Sequence, residues 1–70
     1  MIDKILRDSL TRGWVVTIIY YKDGKITKRN IEVKAVSGDR VMAYCHLRGG
    51  IRMFSLKNIF AADYCRKMAN

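Results

Sequence analysis

Seventy residues carry fourteen Lys and Arg against six Asp and Glu, a formal net charge of +8, with half the residues apolar and no proline. That length holds one domain, residues 1–70, which buries roughly 60% of the surface its unfolded chain exposes and leaves no room for a second core. The composition excludes a disordered chain, and the charge points to polyanionic partners, nucleic acid first and anionic lipid second.

From the N-terminus, Ile2, Ile5, Leu6 and Leu10 recur at helical spacing, with Asp3, Lys4, Arg7 and Asp8 on the other side. Asp3 in the first turn and Arg12 at the end suit the helix dipole, and Gly13 is a natural stop, so residues 1–12 read as a short helix. Its mixed charges exclude the apolar block of a signal peptide, and no apolar run is long enough to cross a bilayer. A cytoplasmic protein with no membrane association is the expectation. One amphipathic helix of this length must dock on something. It either caps an open end of a barrel or, through residues 2–11, binds a protein partner or a second copy of the chain.

Residues 14–21 are rich in β-branched and aromatic side chains, and a second such run covers 26–36. Asp23-Gly24 between them is a strong hairpin signal. A two-residue turn there pairs Tyr20 with Thr27, Ile18 with Arg29, Val16 with Ile31 and Trp14 with Val33. The face that gathers Trp14, Val16, Ile18, Ile31 and Val33 is the core face. Arg29 points the same way. It must either reach the mouth of a barrel or meet a polar partner, unless a one-residue slip turns it outward.

Ser37-Gly38-Asp39 is a turn by composition, residues 40–46 a third strand and residues 51–55 a fourth, around Gly49-Gly50. Two parities are open for this second hairpin. A two-residue turn puts Phe54 on the face of Cys45; a three-residue turn with a bulge puts Phe54 beside Tyr44 and Arg52 beside His46. Residues 56–59 read as a tight turn into a last short strand near 60–62, with 63–70 as a tail that forms a helical turn or frays. Four to five antiparallel strands and a short N-terminal helix predict a mainly β fold, a small SH3-like (Sm-like) barrel over residues 14–62.

The residues do not support an enzyme. His46 is the sole histidine, and Cys45 beside it on a strand points to the other face. Glu32 has no carboxylate partner at a useful spacing. Cys45 and Cys65 lack any metal-ligand spacing and read as free thiols, and no glycine loop cradles a phosphate, so neither metal nor cofactor is expected. Arg29, Arg48, Arg52 and Lys57, with Tyr20, Tyr44 and His46 nearby in the expected sheet, instead interleave cations with flat rings. Guanidinium forks hold phosphates while an aromatic face stacks a base, the combination used on single strands.

Three segments carry a resemblance to a known family: residues 28–31 (Lys-Arg-Asn-Ile), 41–48 (Val-Met-Ala-Tyr-Cys-His-Leu-Arg) and 52–59 (Arg-Met-Phe-Ser-Leu-Lys-Asn-Ile). Together with the opening strand at 17–21, the pattern resembles the WYL domain over residues 14–62. The Trp-Tyr-Leu triplet that names the family falls on Asp39-Arg40-Val41, and Asn58 stands where the family usually has a second arginine. The resemblance implies an SH3-like barrel with a basic ligand groove, linked in larger members to sensing nucleic acid or another anionic ligand in transcription regulation. The family positions carried over are Arg29, Tyr44, His46, Arg48 and Arg52. The expected function is therefore a non-enzymatic binding module for single-stranded nucleic acid or a small anionic ligand. Phosphates would be held by Arg29, Arg48, Arg52 and Lys57, and a base stacked on Tyr44 or His46. The alternative is a protein-interaction or oligomerisation module acting through the N-terminal helix or an exposed strand edge.

Overall fold

A computed structural model describes residues 2–65. Helix α1 (Ile2–Arg12) precedes strands β1 (Val16–Lys22), β2 (Lys25–Ser37), β3 (Arg40–Cys45) and β4 (Gly50–Ser55), a 3-10 turn (Leu56–Asn58) and β5 (Ile59–Tyr64). All five strands are antiparallel to their neighbours in one sheet of order β4-β3-β2-β1-β5.

The first hairpin follows from its turn. Asp23 and Gly24 both adopt positive φ, 53° and 75°, the type I′ geometry whose twist matches that of the flanking strands. The register from Lys22↔Lys25 to Val16↔Ile31 is then the expected one, with Ile18 opposite Arg29. No slip occurs at Arg29. The irregularity in β2 lies farther on, between Val33 and Ala35. The second hairpin closes over a four-residue loop, 46–49, in which Gly49 has φ 70° and its N–H meets the Cys45 carbonyl at 2.7 Å. Gly50 belongs to β4. Even loop length puts Val41 opposite Phe54 and Ala43 opposite Arg52, so Phe54 lies on the face of Cys45.

One face of the sheet carries the core: Val16, Ile18, Ile31, Val41, Ala43 and Cys45 are fully enclosed, with Phe54, Val33 and Ile59 nearly so. Trp14 does not join them. The β1–β2 ladder starts at Val16, and Gly13 (φ 72°) turns the chain out of the helix, so Trp14 is 45% exposed while Val15 is 4% exposed. The indole instead meets the Tyr64 ring edge-on at 5.8 Å and lies under the Arg12 guanidinium at 4.9 Å.

Helix α1 lays Ile5 and Leu6 on the core. Ser9, fully buried, ties it down: its hydroxyl donates to the Trp14 carbonyl at 2.6 Å and accepts the Val33 N–H at 2.9 Å. Val33 lies beyond the last β1–β2 pair, and the serine stands in for a missing strand neighbour. At the outer end Tyr64 donates its hydroxyl to Asp8 at 2.6 Å. Ile5 and Leu6 of the apolar stripe are thus spent on the chain's own sheet with Ile2 packed beside them, while Leu10 stays 39% exposed.

The expectation of a mainly β fold holds, with five antiparallel strands and an N-terminal helix. Barrel closure does not: β4 and β5 are the edges of an open sheet. The chain leaves β4 through the 3-10 turn, whose Leu56 N–H bonds the Asp39 carbonyl, and β5 returns alongside β1. At the seam a side chain replaces a strand pair. Tyr20, on β1, accepts the Ser55 N–H on its hydroxyl at 2.9 Å and packs edge-on against Phe54 at 5.0 Å. The last strand is longer than expected, taking in Asp63 and Tyr64; of the expected tail, residues 66–70 lie outside the described residues. Among the described residues no helix is long and apolar enough to cross a membrane.

Candidate anion-binding site

Strand periodicity decides which candidate residues can meet. Arg29 and Arg52 lie on the core face of β2 and β4, because their partners Ile18 and Ala43 are core residues. Both arginines are half-buried. Arg29 is held by neutral atoms: Nε donates to Thr27 Oγ1 at 3.1 Å, and an Nη lies 3.8 Å from Cys45 Sγ. Thr27 in turn donates to the Tyr20 carbonyl at 3.4 Å. The remainder of the guanidinium fork is left for solvent or a ligand.

Cys45 is the hub of this end of the sheet. Burial is the strongest influence on its thiol and pushes its pKa up. The backbone N–H groups of Arg48 and Leu47 and the Arg29 guanidinium together outweigh it, so the pKa falls below the ordinary thiol value. Arg48 is thereby tied by its backbone to the atom that Arg29 touches, with its own side chain exposed on the 46–49 loop. Arg52 is one register step on the same face from the Cys45↔Gly50 pair. Arg29 and Arg52 thus share the core face, with Arg48 in the adjoining loop, and among the described residues none of the three has a carboxylate within 4.0 Å. Lys4, Arg12 and Lys34, by contrast, are each paired with Asp8 or Glu32.

The other candidates are elsewhere. Tyr44 and His46 point to the opposite face of the sheet, where Tyr44 sits across from Glu32. His46 Nε2 lies 3.0 Å from Glu32 Oε2, and the two rings meet edge-on at 5.1 Å. Neither ring is on the side of Arg29 and Arg52. Lys57, exposed in the 3-10 turn, lies past the far end of β4 from Arg52.

Two features of this region went unread in the sequence. One is the role of Cys45 as an anchor for both Arg29 and the loop, legible only once its neighbours are placed. The other is a stacked aromatic pair on the outer face, Tyr21 and Phe60, with ring centroids 5.8 Å apart and planes 8° apart. No group of three His, Cys, Asp or Glu among the described residues could hold a metal ion.

No family model matches the chain, and no curated protein matches it in sequence. Among solved structures it is similar to proteasome accessory factor B/C (PafBC) of Arthrobacter aurescens, with a TM-score of 0.79 and 21% identity over 90% of this chain. The chain spans 11% of that protein's length. Likeness at this identity is one of fold alone.

Proposed function

We propose that this chain is a non-enzymatic binding module, a divergent WYL-like domain whose curled sheet is of SH3 type, with a regulatory role in the cytoplasm. Its ligand is single-stranded nucleic acid or a related anion, bound through phosphates at Arg29, Arg48 and Arg52. One observation carries this reading. Arg29 is half-buried on the core face against Thr27 and Cys45, and among the described residues it has no counter-charge. A cation drawn partly out of water without an anion is unfavourable to the fold, which makes the position a natural seat for a ligand's negative charge. The net charge of +8 adds long-range attraction for a polyanion.

Titrating a labelled oligonucleotide at low and moderate salt tests this. Binding is expected to weaken steeply with salt, and the double variant Arg29→Met/Arg52→Met to flatten that slope. Absence of binding at low salt ends the proposal.

The second reading, an interaction module, is favoured by one edge of the sheet. β4 has no outer neighbour and exposes Ile51 and Met53. Mass in solution separates the two: a monomer that binds oligonucleotide goes against it.

A further inference from the structure

The arginine site lacks a surface on which a base could stack, since Tyr44 and His46 face away from it. The outer face of the sheet has one. Phe60 is the extra residue where the β1–β5 pairing shifts between Ile19 and Tyr20, and the bulge turns its ring onto Tyr21. The pair is parallel and open to solvent, Phe60 by 55% and Tyr21 by 39%, and Ile26, directly across from Tyr21, is 63% exposed. A protein of this size has little reason to leave three large apolar side chains together in water.

Charge selects the occupant. Lys28 lies two residues beyond Ile26 on the same face, across from Ile19, while Lys22 and Lys25, paired at the adjoining hairpin tip, alternate to the face of Tyr20 and Thr27. Two copies docked through this patch by a two-fold axis would bring two such lysine-bearing hairpins together, whereas a polyanion would gain from Lys28 on the face and from the tip lysines beside it. Next along the same face is an open hollow of about 350 Å³ lined by Lys28, Asn30, His46 and Leu47. Acidic groups flank this route. Asp23 is in the hairpin tip, Asp63 is across from Thr17, and Glu32 is engaged by His46 and Lys34.

We propose that Tyr21 and Phe60 form a base-stacking platform on the outer face, from which a single strand runs over Lys28 into the adjoining hollow beside His46 and Leu47. From β5 to β3 is three strand spacings, about 15 Å, a reach of a few nucleotides. Ring faces take any base, so the platform is tolerant of sequence. This inference rests on the nucleic-acid reading above and places the base contact on the face opposite Arg29 and Arg52, the face that also carries Tyr44 and His46.

The test compares a labelled oligothymidylate with an abasic oligomer of equal length at low salt, using wild type, Phe60→Ala and Phe60→Trp, each checked for folding by circular dichroism. Phe60→Ala is expected to weaken the base-bearing strand by roughly 5- to 150-fold, the usual range for one lost stack, and to leave the abasic strand unchanged. Phe60→Trp should restore affinity. If wild type binds and Phe60→Ala binds the base-bearing strand as tightly as wild type does, the platform is overturned and the arginine site stands. Equal loss for both strands also overturns it, since the ring would then act through the fold. If wild type binds anionic phosphatidylserine vesicles in a Phe60-dependent way while oligothymidylate binding ignores Phe60, the patch is a membrane contact and the proposal fails. Failure of wild type to bind either strand removes the nucleic-acid reading and this inference with it.

Discussion

Replacing Ser9 by alanine removes one hydroxyl and strands two backbone groups. The Ser9 side chain has no exposed surface, and the Val33 N–H it satisfies is itself buried. The hydrogen bond to the Trp14 carbonyl contributes about 1 kcal/mol net, and a buried N–H left without a partner costs about 1–3 kcal/mol. Their sum, about 2–4 kcal/mol, is a large share of the stability expected for seventy residues, roughly 3.5–10 kcal/mol. The midpoint of thermal unfolding should drop by roughly 10–30 °C. Thr11→Ala is the control. The Thr11 hydroxyl donates to the Arg7 carbonyl at 3.0 Å in an exposed position, and its loss should change stability by no more than about 0.5 kcal/mol. Urea unfolding measures both variants, and native-state hydrogen exchange should show the Val33 amide losing protection in Ser9→Ala. A Ser9→Ala protein within about 0.5 kcal/mol of wild type, with the Val33 amide still protected, would refute the view that this serine replaces a strand neighbour.

Tyr20→Phe keeps the ring against Phe54 but leaves the Ser55 N–H unpaired; a loss of about 1–2 kcal/mol and faster exchange at Ser55 are expected. Asp8 is held below the usual carboxylate range by the Tyr64 hydroxyl first and Lys4 second, and Tyr64 is raised above the usual phenol range by Asp8. The contribution of Asp8 is therefore present above its unfolded pKa and lost as pH falls through its lower folded value. That of Tyr64 is present below its unfolded pKa and lost as pH rises through its higher folded value. Urea midpoints of wild type and Tyr64→Phe should accordingly differ most near neutral pH and converge at both extremes. Cys45 has a lowered thiol pKa but no exposed surface, while Cys65 is half-buried. Iodoacetamide followed by mass spectrometry should find Cys65 modified first, with Cys45 reacting only as the sheet opens.

The first hairpin is legible because Asp23-Gly24 favours one turn type and one register, which puts Arg29 on the core face; the slip that would turn it outward does not occur. The second hairpin is not legible, because two adjacent glycines do not say which belongs to the loop. Gly49 does, and only a loop of even length sets Arg52 with Cys45 rather than with His46. Once that parity is known, period-two alternation alone separates Arg29 and Arg52 from Tyr44 and His46. The open seam depends on a Tyr20–Ser55 contact between residues far apart in sequence, which no local pattern encodes. Trp14 was misplaced for a related reason. Its hydrophobicity argued for the core, but the chain needs residues 13–15 to turn from helix into strand. The bulge at Phe60 depends on how β5 meets β1, so the aromatic pair it creates has no signature in the sequence either.

Whether the surplus of positive charge serves binding or only solubility can be decided at Arg29. A solubilising cation belongs on an exposed face, where Lys22, Lys25 and Lys28 already lie. Arg29 is half-buried among apolar groups, with neutral partners that do not depend on it. Thr27 keeps its bond to the Tyr20 carbonyl, and Cys45 Sγ keeps the N–H groups of Leu47 and Arg48. Methionine at this position retains the length of the side chain and leaves no charge to desolvate. If the arginine is kept for a ligand, Arg29→Met should fold at least as stably as wild type, gaining up to about 1 kcal/mol, while oligonucleotide affinity falls. Urea unfolding and the oligonucleotide titration, run on the same preparation, read both quantities. A variant that loses more than about 1 kcal/mol of stability and binds as tightly as wild type would make Arg29 a structural residue, and the case for an anion site on that face would go with it.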